Sequence, residues 1–187
     1  MPHEIWLMRH GETEWSRSGQ HTSRTDLPLT EEGQRRAVRV AKVLDGKKFA
    51  LTLSSPMHRA IDTCRLAGYE GESTNDLREW DYGEYEGLTT AQIQKTAPGW
   101  TIWTGNPPGG ETAAQVGARA DRVIARALAA DGDVALFGHG HMLRILAARW
   151  VELVPEEGSR LALSTGSISV LGWERDTRVI QRWNQTA

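Results

Sequence analysis

Glu4-Ile5-Trp6-Leu7-Met8-Arg9-His10-Gly11 is the stretch on which the fold turns. A short apolar run that stops at a basic pair and a glycine reads as a buried strand delivering a loop. Moving outward, Asp26-Leu27-Pro28-Leu29-Thr30 leads into a helix. Thr30 is its N-cap, Glu31 and Glu32 suit its first turn, and Ala37, Val40, Ala41 and Leu44 mark one apolar stripe. A second strand, Ala50 to Leu53, ends in Ser54-Ser55-Pro56, with Pro56 expected in the first turn of a helix carrying Ala60, Ile61 and Cys64. A third helix runs from about Thr112 to Ala130. Asp133 to Phe137 forms a third strand, ending in Gly138-His139-Gly140 and followed at once by a helix with Leu143, Leu146, Ala147 and Trp150.

Strands alternating with amphipathic helices predict βαβ units in one domain over residues 1–187. Ile168 and Val170, then Val179, Gln181 and Trp183, alternate around Glu174-Arg175-Asp176, which predicts a C-terminal hairpin that adds non-parallel strand. Tyr69 to Gly110 is rich in Gly, Trp, Tyr and Pro, with one short helical candidate near Thr89 to Ala97. It reads as an excursion covering a pocket.

Composition narrows the class. The 187 residues are 25% charged with a net charge of −2, so no global field marks a nucleic-acid or membrane-surface binder. The apolar runs fall well short of the roughly 20 residues that span a bilayer. A single cysteine, Cys64, cannot form an internal disulfide, and no leader is visible, so the cytoplasm is expected. Cys64 itself reads as a small buried residue. Trp15, Trp80, Trp100 and Trp103 stand near the chemistry, and core or rim packing is the simpler reading of each.

Three strands are each followed by a residue suited to phosphate: Arg9 and His10, then Arg59, then His139. Ligands of open α/β sheets bind outside the carboxyl ends of the strands, so these loops should meet. Guanidinium groups, imidazolium and a helix N-terminus stabilise the charge of a phosphoryl group in transfer. His10 is the best-placed nucleophile, if one ring nitrogen is fixed as a donor to a carbonyl, and Gly11 is expected to let the backbone approach the substrate. In the acidic segment Leu77 to Gly83, Glu79 between Arg78 and Trp80 is the candidate general acid, with a raised pKa expected there. A metal hydrolase using His139 and His141 is disfavoured, because a helix starts between them and no third ligand has a supporting spacing, so neither metal nor other cofactor is expected. His3, His21 and His58 read as a disordered terminus, a surface loop and a helix face, with His21 alone near the expected substrate.

Leu7-Met8-Arg9-His10-Gly11-Glu12-Thr13-Glu14-Trp15 resembles the Arg-His-Gly signature of the histidine phosphatase superfamily, the phosphoglycerate mutase-like family. The resemblance continues through Thr25 to Thr30, Ser54-Ser55-Pro56 with Arg59 and Thr63, Glu79 to Gly87, Gly109 to Thr112, and Gly138-His139-Gly140. It implies a doubly wound α/β fold with a mostly parallel sheet, a phosphohistidine on His10, phosphate contacts from Arg9, Arg59 and His139, and Glu79 as proton donor. Within the superfamily it is most similar to the sugar-bisphosphatase branch. The substrate is then a small-molecule phosphate ester, with Ser16, Thr22, Ser23, Arg24 and Gly140 as candidate binding residues. Ser16 and Ser23 depart from the Asn and Gly of many members. Arg24 or Arg144 is a candidate for a second anionic group. A mutase or a non-catalytic phosphate-binding module is the alternative. The mutase members carry a longer basic insertion, whereas Leu88 to Gly110 holds one basic residue, Lys95.

Overall fold

The computed structural model describes residues 3–186. Its first strand, β1 (Ile5–Arg9), shows why an unbroken apolar run is needed there. Ile5 and Leu7 join the core on one side of the sheet, and Trp6 and Met8 join the core on the other. A strand covered on both faces has no side on which polar residues would be tolerated.

The chain then forms α1 (Glu14–Ser18), α2 (Glu31–Leu44), β2 (Leu51–Ser54), α3 (His58–Leu66) and β3 (Glu72–Ser73). It continues through α4 (Thr90–Ile93), α5 (Ala113–Leu128), β4 (Val134–Gly138), α6 (Gly140–Trp150), β5 (Ser167–Glu174) and β6 (Thr177–Thr186). The six strands lie in the order β3-β2-β4-β1-β5-β6. β1 to β4 are parallel, while β5 runs antiparallel to β1 and closes the expected hairpin with β6. Core residues of α5 and α6 pack with Ile5, Leu7, Leu53 and Leu136. Val40 and Leu44 of α2 and Cys64 of α3 pack with Trp6, Met8, Ala135 and Phe137. The fold is thus the doubly wound α/β arrangement with a mostly parallel sheet.

Thr30 caps α2 through its side chain, which accepts from the Gly33 N–H. Pro56 is not in the first turn of α3, which begins two residues later behind Met57. Two elements were not expected from the sequence. α1 is five residues long and starts at a capping box of Thr13 and Ser16, and β3 is a two-residue edge strand. The helix expected near Thr89 to Ala97 is only the single turn of α4. Nor does His3 read as a disordered terminus, since its Nε2 lies 2.8 Å from the Ala127 carbonyl oxygen.

Candidate active site

The strand order puts the carboxyl end of β4 between those of β2 and β1, so the three loops singled out from the sequence converge. His10 follows β1, and its backbone N–H donates to Gly138 O at 3.0 Å. Its ring Nδ1 lies 2.7 Å from the carbonyl oxygen of Gly11 and donates to it. That bond fixes the tautomer, so the Nε2 lone pair is free at a cavity of about 170 Å³ that His10 lines. Burial first, then the charges of Arg59 and Arg9, hold the imidazole well below its usual pKa and keep it neutral. Gly11 serves a purpose other than the expected approach to substrate. A Cβ there would lie 2.2 Å from Gly33 O, so its bareness lets the first turn of α2 pack against the loop.

The ring of His139 stands 5.1 Å from that of His10, centroid to centroid. Both of its nitrogens are engaged. Nε2 is 2.7 Å from Ser55 Oγ, and Nδ1 accepts from Arg59 Nε at 3.3 Å. Burial, followed by the charge of Arg59, pushes its pKa well down. His139 is therefore neutral here, not the imidazolium expected from the sequence. Arg59 is fully buried behind it, donating to the carbonyls of Thr22, Ser23 and Thr25, and does not line the cavity. Arg9 does line it. Its Nη1 donates to Leu163 O, and its buried Nε has no partner among the described residues. The guanidinium lies against Gly140, where a Cβ would come within 3.1 Å of Cζ.

Glu79 arrives from the excursion between β3 and α5. Its Oε1 accepts the N–H groups of Trp80 and Met142, both at 2.9 Å, and Oε2 accepts that of His141 at 3.1 Å. The carboxyl group thus occupies the first turn of α6, whose N-cap His139 makes no side-chain cap of its own. The sequence reading assigned that helix end to the substrate's phosphate, but in the fold a protein carboxylate already stands there. Arg78 forms no ion pair with Glu79 among the described residues, and its carbonyl accepts from Arg119.

Residues 5–186 match the model of the histidine phosphatase superfamily, branch 1. The chain belongs to that superfamily. It is 44% identical over 181 residues to an acid phosphatase of Mycobacterium tuberculosis, covering 94% of this chain and 89% of the relative. It is 36% identical over 182 residues to sedoheptulose 1,7-bisphosphatase of Saccharomyces cerevisiae, covering 79% and 67%. Phosphoglycerate mutases are among the more distant matches. A solved structure of an open reading frame product from M. tuberculosis superposes with a TM-score of 0.94 at 42% identity, covering 98% of both chains. The chain is a hydrolase of the histidine phosphatase type.

The remaining candidates of this phosphatase separate into two groups. Ser16, Thr22 and Gly140 line the cavity with Arg9, His10 and Glu79. The Ser16 hydroxyl donates to Thr13 O, and Thr22 Oγ1 donates to Gln20 O. Ser23 and Arg24 line a neighbouring cleft instead, which touches Glu79 from another side. Ser23 Oγ donates to Glu86 at 2.5 Å, and the exposed Arg24 pairs with Asp81, so neither is brought to His10. Arg144, His21 and His141 do line the cavity of His10, together with Tyr82, Gln20 and Leu163. Leu163, from the loop before β5, had no signal in the sequence, whereas Tyr82 lies in the Leu77 to Gly83 segment but its residue type gave it no role there. The four tryptophans near the site do not line the cavity. Trp80 and Trp100 are core, and Trp103 stands edge-on to His141 behind it.

Proposed function

We propose that this histidine phosphatase hydrolyses monoesters of small phosphorylated metabolites, such as sugar phosphates or bisphosphates, through a phosphohistidine on His10. The observation that carries the reading is the His10 ring, with Nδ1–H spent on the Gly11 carbonyl and Nε2 free at the cavity. Nε2 attacks phosphorus, the bond to the alcohol oxygen breaks, and Glu79 gives the departing alkoxide its proton. Water then returns a proton to Glu79 as it attacks the phosphorus. The P–N bond breaks and inorganic phosphate leaves.

Arg9 supplies positive charge at the cavity where the equatorial oxygens gather negative charge, and Arg59, buried behind His139, adds its charge from further off. His139, held neutral by burial first and then by the Arg59 charge, does not line the cavity and acts by orienting the Arg59 guanidinium through Nδ1. Similarity to a sugar bisphosphatase and to an acid phosphatase supports the substrate class, and Arg144 at the cavity suits a second anionic group. Hydrolysis is favoured over mutase chemistry because the cover from Leu88 to Gly110 holds one basic residue, Lys95, and so little to retain a charged acid. The free, buried Cys64, its thiol pushed up to about 12 by burial, suits a cytoplasmic setting.

Rapid quench of turnover with a phosphate ester should trap an acid-labile, base-stable phosphoprotein. The folded His10→Ala variant should show neither phosphoprotein nor turnover. Substantial activity in that variant would remove His10 from its role. A phosphoenzyme that transfers to phosphoglycerate faster than to water would make the chain a mutase.

A further inference from the structure

One side chain at the cavity has no part in the reaction as described, although its backbone does. The N–H of His141 holds Glu79, while its ring extends past that carboxyl, with Nδ1 3.9 Å from Glu79 Oε2. The ring edge at Nδ1 meets the hydroxyl of Tyr82 at 2.6 Å. Trp103 stands against the ring at 5.2 Å between centroids, Tyr82 at 5.9 Å and His21 at 6.2 Å. Nε2 has no partner among the described residues, yet the residue lines the cavity. This leaves an unmet ring nitrogen on a residue that lines the cavity next to Glu79.

We propose that His141, oriented by Tyr82, reads the alcohol part of the substrate by donating its Nε2–H to an oxygen of a polyhydroxylated leaving group. The inference rests on the phosphatase reading above and deepens it. The direction of the Tyr82 bond decides the chemistry. The Tyr82 phenol is buried and held well above its usual pKa, by burial first and then by Glu79, so it keeps its proton, and His141 Nδ1 is the one partner its hydroxyl has among the described residues, so the hydroxyl donates there. His141 Nδ1 must accept. Burial, then the charges of Arg144 and His21, keep the ring from taking a second proton. The one hydrogen of the ring is therefore on Nε2, at every pH where the phenol and the neutral imidazole persist. A donor that lines a cavity without a protein partner is satisfied only by water or by substrate. A sugar or other polyol brings an oxygen to that edge, and an aryl leaving group brings none. Arg144 flanks the same wall, its guanidinium 4.5 Å over the Trp103 ring and donating to the carbonyls of Gly158 and Ser159.

The test compares wild type, Tyr82→Phe and His141→Phe for kcat/KM on a hexose phosphate and on an aryl phosphate, together with the ¹⁵N spectrum of the labelled imidazoles. The wild-type His141 signal should show one neutral tautomer with the proton on Nε2, and Tyr82→Phe should give a mixture. The preference for hexose over aryl ester should fall between about threefold and tenfold in both variants, the worth of one hydrogen bond. A wild-type ring protonated on Nδ1, or a preference unchanged in both variants, overturns the proposal. If neither ester is hydrolysed by wild type, the phosphatase reading fails, and the imidazole spectrum still decides the donor assignment.

Discussion

His10 and His141 line one cavity, both are kept neutral by burial, and they present opposite chemistry to it. At His10, Nδ1 meets a carbonyl, which can only accept, so Nε2 is left with a lone pair. At His141, Nδ1 meets a phenol that keeps its proton, so Nε2 is left with a hydrogen. One end of the cavity is thereby suited to attack phosphorus and the other to hold an oxygen. Residue type is the same at both ends, and the partner of the hidden nitrogen makes the difference.

Glu79 stands between the two ends, so replacing it gives the largest expected separation. Glu79→Gln should lower turnover of alkyl phosphates by about 10²–10⁴-fold, and that of an aryl phosphate, which leaves without a proton, much less. The amide cannot accept at both ends, so either the N–H of His141 or those of both Trp80 and Met142 lose their partner. Thermal melting should report a loss of ~1–3 kcal/mol. Equal kinetic losses on both esters would move the proton to another carboxyl group and leave the two ends unconnected.

The shared neutrality of the histidines is tested by pH. His10, His139 and His141 all titrate well below the usual 6.5 in the folded chain. Above that value neither folded nor unfolded rings bind protons, and there is no linkage. As pH falls below it the unfolded rings take protons first, so stability is lost on acidification, by up to ~1.4 kcal/mol per pH unit for each ring. Urea melts between about pH 7 and pH 5 should show this slope. His141→Asn, which keeps an acceptor for Tyr82, should reduce it by about one proton, and parallel slopes would mean that His141 is not buried neutral.

The smallest effect sharpens the outer end alone. Arg144→Ala should raise KM for a sugar bisphosphate by about tenfold over its effect on an aryl monophosphate. Arg24→Ala should change either by less than about twofold, since its exposed pair with Asp81 is worth little. A larger effect at Arg24 would mean that the neighbouring cleft takes part in binding.

The phosphoryl end was far more legible than the cover. Arg9, His10 and His139 each sit where a strand stops, and the apolar run before them is visible by eye. Thr30 announced α2 because a cap is a local signal. α1 escaped because its Thr13–Ser16 capping box precedes no apolar stripe, and none of its residues is buried. β3 is too short to have a period. Arg24 and Arg144 could not be separated from the sequence, because both are basic residues close to a matching segment.

By itself the sequence determined the alternation of strands and helices, the strand ends and which basic residues stand at them, since periodicity and strand-end position are properties of neighbouring residues. Only the tertiary structure decided what each group does. It set Glu79 on the first turn of α6, 62 positions away from His141, and turned Arg59 toward the Thr22 to Thr25 carbonyls. It also chose opposite tautomers for His10 and His141. A ring's proton goes where its partner's lone pair lies, and the phenol that sets His141 comes from a distant segment that only folding brings into contact.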